Sequence, residues 1–104
     1  MASGKLGKAA LVAATDTDLY TVPVNTVTTA TVHFCNRTAG PIAVRAAVRT
    51  GGLVDADYVY YDIEVPANDV RGYEGLVMGA GETLVVRAAA AGISARAMGF
   101  EEVA

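Results

Sequence analysis

Turn-forming clusters punctuate this chain at nearly even spacing, and that punctuation limits it to one kind of fold. Asp16-Thr17-Asp18, residues 36–41, Gly51-Gly52, residues 66–69, Gly79-Ala80-Gly81 and Gly92 are separated by segments of about 8–12 residues, the repeat of strand plus turn in an all-β sandwich or barrel. Between the turns the residues alternate with period two. Ala30, Val32 and Phe34 fall on one face, and Thr29, Thr31, His33 and Cys35 on the other. Ile42, Val44, Ala46 and Val48 alternate with Arg45 and Arg49, and Val59, Tyr61, Ile63 and Val65 with Tyr58, Tyr60, Asp62 and Glu64. Such one-sided alternation predicts antiparallel strands with one face toward the core and one toward water.

Two segments are less regular. Thr83 to Ala91 ends in an alanine run of high helix propensity, but the β-branched Val85 and Val86 and the flanking glycines favour a strand with Leu84 and Val86 inward. Ala9 to Ala14 reads as an edge strand or an extended arm. The expected organisation is one domain, with residues 1–15 as an N-terminal arm or edge strand and residues 16–104 as the sandwich.

The chain has 104 residues, 53% of them hydrophobic and 18% charged. This is enough apolar surface for one core, with little in reserve. Much of it is alanine, so the core is expected to be thin and the protein to bury further surface against neighbours. A net charge of −3, with arginines spread along the sequence, argues against nucleic-acid binding, which needs a concentrated basic patch. Cys35 is the sole cysteine, so no intrachain disulfide can form. Without an apolar leader or a run of about 20 apolar residues, the chain is expected to be soluble and made in the cytoplasm.

Candidate chemistry is sparse. His33 is the only histidine, whereas a zinc or acid–base site needs further ligands at suitable spacing. Cys35 shares its face and is read as a small packed residue, with contact to a neighbouring subunit, or a disulfide to one, as the alternative. The acidic stretch "DADYVYYDIE" straddles a strand rather than forming a glycine-kinked calcium loop, so its charges read as a solvated edge. Tyr58, Tyr60, Tyr61 and Tyr73 could fill a core or interface or stack on a sugar. "MGAGETL" lacks the other elements of a phosphate loop and reads as a hairpin turn. Asn36-Arg37-Thr38 matches a glycosylation sequon that, without a secretory signal, carries no meaning. Arg45, Arg49, Arg87 and Arg96 lie on small-residue faces, either as ion-pair donors to another subunit or solvated. No cofactor or metal is expected.

The succession "KLGKAALVAATDTDLYTVPVNTVTTATVHFCNRT", "IAVRAAVRTGG", "DADYVYYDIEVPAN" and "ISARAMGFEE" resembles a group of small virion-associated proteins of tailed bacteriophages. The matching positions are Lys5 to Gly7, Tyr20 to Pro23, Cys35 to Arg37, Tyr61-Asp62, Pro66 to Asn68 and Gly99 to Glu102. The resemblance departs at "ANDVRGYEGLVMGAGE", where related sequences commonly have an Asn-Gly turn followed by a different strand. It implies an immunoglobulin-like or jelly-roll antiparallel β-sandwich of about seven to eight strands. It also implies a non-enzymatic structural part at the neck, collar or tail of the particle. The alternatives are a capsid cement protein, or a tail module that binds a host-surface glycan or receptor through Tyr58 to Tyr61. The implied partners are other copies of the chain and other neck, tail or capsid proteins, with no nucleic acid or membrane. The implied location is the virion, after synthesis in the host cytoplasm. Candidate interface residues are Lys5, Leu6, Cys35, Arg37, Arg45, Arg49, Tyr58, Tyr60, Tyr73 and Arg87.

Overall fold

A computed structural model describes residues 3–103. Eight strands follow one another: β1 (Ser3–Ala10), β2 (Thr17–Thr21), β3 (Thr26–Asn36), β4 (Ile42–Arg49), β5 (Tyr58–Val65), β6 (Val70–Met78), β7 (Thr83–Ala88) and β8 (Ile93–Val103). A single 3₁₀ turn, Asp55–Asp57, precedes β5. The strands form two four-stranded antiparallel sheets, sheet I in the order β1-β8-β3-β6 and sheet II in the order β2-β7-β4-β5. Every connection except β4–β5 crosses from one sheet to the other. This interleaved order is that of the eight-stranded jelly roll rather than the immunoglobulin sandwich, in which the first two strands are neighbours in one sheet.

The apolar faces of the sheets meet in the interior. Val32 and Phe34 from β3, Val44 and Ala46 from β4, Leu84, Val86 and Ala88 from β7, and Ile93, Ala95 and Ala97 from β8 are buried there, with Met78 beside them. The alternation read from β3, β4 and β7 is therefore the one that folds, and the alanine run after Arg87 ends a strand instead of starting a helix. At the start of the chain, β1 is an edge strand hydrogen-bonded to β8. The chain then turns Leu11 into the core and crosses to sheet II, where Ala14 N–H donates to the Ala88 carbonyl at 2.8 Å.

Strand β5 departs from its expected phase. Its register against β4 slips twice, once between Ile63 and Tyr60 and once between Tyr60 and Tyr58. Asp62 takes a positive φ of 52° at the first slip, a conformation that aspartate tolerates better than most side chains. Each extra residue flips the strand's facing. As a result Val59 and Tyr61 are exposed, Tyr60 turns inward, and only Ile63 and Val65 keep the expected inward orientation.

The Gly79–Gly81 turn also differs from expectation. It joins β6 in sheet I to β7 in sheet II, so it is an arch between sheets and not a hairpin. Glu82 folds back so that a carboxylate oxygen accepts the Gly79 N–H at 2.6 Å. Asn36, the first residue of the sequon, is buried, and its side chain ties the turn after β3 to the end of β5 at the opposite end of the sandwich.

Candidate functional surface

The ten candidate interface residues do not form one patch. Tyr60 and Tyr73 lie between the sheets, where their rings stack at 4.0 Å and Phe34 meets Tyr73 edge-on at 6.4 Å. They close the side of the sandwich where the edge strands β5 and β6 come together, half-buried and packed against the core. Burial raises the Tyr73 phenol above its ordinary value. Leu6 sits at the bulge between Lys5 and Gly7 and packs against the core.

Arg45, Arg49, Arg87 and Tyr58 belong to the outer face of sheet II, where the chain satisfies them itself. Arg45 binds Asp62 at 2.7 Å, Arg49 binds Asp18 at 2.8 Å and Arg87 reaches Asp16 at 3.4 Å. The Arg45 guanidinium also lies 4.0 Å over the Tyr61 ring, and Tyr61 meets Tyr58 edge-to-face at 5.1 Å. The hydrogen bond from Arg45 holds the Asp62 carboxyl below its usual range and raises the guanidinium in turn. These arginines are thus engaged within the chain, and one face of Tyr61 is covered by Arg45.

The outer face of sheet I is different. Its strands carry Lys5 and Lys8 on β1, Arg96, Met98 and Phe100 on β8, Thr29, Thr31, His33 and Cys35 on β3, and Glu74 and Val77 on β6. Lys8, Arg96 and His33 are lateral neighbours, level with Gly72. The His33 ring lies over Gly72, at a place where a side chain on that residue would meet it. Among the described residues, Lys5, Lys8 and Arg96 have no carboxylate partner. Phe100 is 65% exposed and Val77 70%, and they flank Thr29 in another lateral row. Cys35 is a free, exposed thiol on this face, level with Ser94, whose hydroxyl accepts a 2.8 Å hydrogen bond from Arg37. A shallow depression of about 400 Å³ runs past Thr31, His33, Glu74, Met98 and Phe100. Lys8 and Phe100 were not singled out from sequence, although the alternation of β8 as Ser94, Arg96, Met98 and Phe100 carried the signal.

A buried polar group inside the sandwich also escaped the sequence reading. Glu101 is 8% exposed and accepts a hydrogen bond from the Tyr20 hydroxyl, which lies 2.8 Å from the Thr28 hydroxyl. Burial, reinforced by the bond to Glu101, raises the Tyr20 phenol above its ordinary value of 10.0. Both Tyr20 and Tyr73 are thereby held neutral more strongly when folded than when unfolded. The stability this contributes is complete below the unfolded phenol value and is lost as pH rises through the higher folded ones. Urea unfolding between pH 9 and 12 should show a progressive fall in stability, with a shallower fall for Tyr20→Phe; equal slopes would show that Tyr20 ionises alike in both states.

Among the described residues, no group of three or more histidine, cysteine or acidic side chains could hold a metal ion, and no helix is long and apolar enough to cross a membrane. No family model, curated protein or solved structure matches the chain.

Proposed function

We propose that this chain is a non-enzymatic structural component of a tailed bacteriophage virion, a multicopy protein that attaches at the neck, collar or tail and stabilises the particle. The observation that carries the reading is the contrast between the two outer faces. Sheet II neutralises its arginines internally, whereas sheet I presents cations without a carboxylate partner among the described residues, beside the exposed Phe100 and Val77. Apolar anchors rimmed by charge are the composition of a protein-binding patch. Sandwiches of this kind suit repeated assembly, because a rigid frame presents the same patch in every copy and many modest contacts sum to a strong attachment. The resemblance of the chain to small virion proteins supports the same reading.

Cryo-electron microscopy of purified particles of the encoding phage tests it. Density fitting this sandwich in a ring at the neck or along the tail, with sheet I against a neighbour, is the expected result. Density repeated over the capsid lattice would make the chain a cement protein, and its absence from the particle would overturn the virion reading.

A further inference from the structure

Sheet I ends in two unpaired strand edges, β1 on one side and β6 on the other. The antiparallel order across the sheet makes these two strands run in opposite directions. A second copy placed beside the first in the same orientation therefore brings its β6 antiparallel to β1, which is the arrangement that extends a sheet.

The charges and the shape of the two edges correspond. Lys5 is level with Met98, Met98 with Thr31, and Thr31 with the bulge formed by Glu74 and Gly75. One lateral row thus begins with an exposed lysine and ends with an exposed glutamate, neither of which has an oppositely charged partner among the described residues. Both edge strands also bulge at this level, β1 between Lys5 and Gly7 and β6 at Gly75, whose φ is 78°. The asymmetry extends beyond this row, because Lys8 lies on the β1 side while Glu64, Asp55 and Asp57 lie on the side of β5 and its preceding loop.

We infer that copies of this chain associate head to tail through sheet I, with β1 of one copy paired to β6 of the next and Lys5 facing Glu74 across the joint. This is a heterologous contact, which closes into a ring or continues as a filament according to the rotation per subunit. It gives the multicopy part of the proposed function a specific surface, but it concerns the isolated chain and is tested without particles. A lysine on an exposed edge can instead act to prevent pairing, and the experiment separates the two roles.

Sedimentation velocity of the purified full chain over a range of concentrations, at low and high salt, should show association that weakens with salt. Lys5→Glu and Glu74→Lys should each weaken it roughly tenfold or more, because each sets like charges against one another at the joint. An equimolar mixture of the two variants should restore association, since every joint between unlike variants then pairs opposite charges. Both positions are exposed, so circular dichroism of each variant should match that of the parent chain. The inference is overturned if the parent stays monomeric under all conditions, if neither substitution alters its association, or if two folded variants fail to rescue one another. Failure here would leave the particle experiment to decide the virion reading independently.

Discussion

Gly99→Ala should be among the most damaging single changes to this fold, costing about 3 kcal/mol or more. Gly99 lies in β8, between β1 and β3, where it faces Gly4 on one side and Ala30 on the other. Its φ of 155° is one that side-chain-bearing residues rarely adopt. A Cβ there would lie 2.0 Å from the Thr29 carbonyl oxygen and 2.9 Å from the Ala30 Cα. Both atoms are backbone of a central strand, so a rotamer change cannot relieve the overlap, and β3 must move away from β8 or the pairing must break. For a domain of this size the cost corresponds to a fall of roughly 12–24 °C in melting temperature. Gly40→Ala is the control, because a Cβ at that position meets nothing within 4 Å, and it should melt within a few degrees of the parent. A Gly99→Ala variant that melts with the control would show that the sheet opens easily at this point.

This constraint was invisible in the sequence, where Gly99 stands only as part of "MGFEE". The same boundary runs through the rest of the molecule. Period-two alternation identified the inward faces of β3 and β4 because both strands keep an unbroken inward phase through Val32, Phe34, Val44 and Ala46. It misplaced Val59 and Tyr61, because a bulge depends on how a strand meets its partner and leaves only a local trace, here an aspartate that accepts positive φ. The glycine-rich stretch after Met78 marks a turn but not its kind, and the chain reverses there between sheets rather than within a hairpin. Turn residues tell where a chain reverses and not which sheet it enters next.

The candidate surface shows the same limit. Arg45, Arg49 and Arg87 read as outward-facing from sequence, yet their carboxylate partners lie 17, 31 and 71 residues away in sequence, the first brought close by the β4–β5 pairing and the other two by the strand order of sheet II. Once those pairs are formed, the cations Lys5, Lys8 and Arg96, without a carboxylate partner among the described residues, fall on sheet I. The sequence contained Lys5, Lys8 and Arg96, but only the strand order shows that they share a face, and only the ion pairs formed on sheet II distinguish that face from the other. Tyr60 and Tyr73, separated by a turn between sheets, stack in the interior for the same topological reason.

Asn36→Asp should destabilise the protein by about 3–5 kcal/mol, although it replaces one atom in a side chain of nearly unchanged shape. Asn36 is 1% exposed, and both ends of its amide are occupied. Its Nδ2 donates to the carbonyls of Gly40 at 2.8 Å and Val65 at 3.0 Å, while its Oδ1 accepts from the Thr38 N–H at 2.9 Å and the Thr38 hydroxyl at 2.7 Å. The backbone N–H of Asn36 donates to the Asp69 carbonyl at 2.9 Å, and that of Arg37 to the Gly92 carbonyl at 2.8 Å, so the turns after β3, β5 and β7 are joined here. A carboxylate keeps the two accepted bonds but turns both donors into an anion facing two carbonyl oxygens, and burial removes the water that would otherwise screen it. Asn36→Ala should cost less, since it removes the amide's hydrogen bonds without adding a charge, and the Gly40 carbonyl keeps the Thr38 hydroxyl as a donor. Chemical denaturation at neutral pH should therefore rank the parent above Asn36→Ala and Asn36→Ala above Asn36→Asp. If the aspartate variant were as stable as the parent, the loops at this end would have to open enough to admit water, and the tie between them would not be holding the sandwich closed.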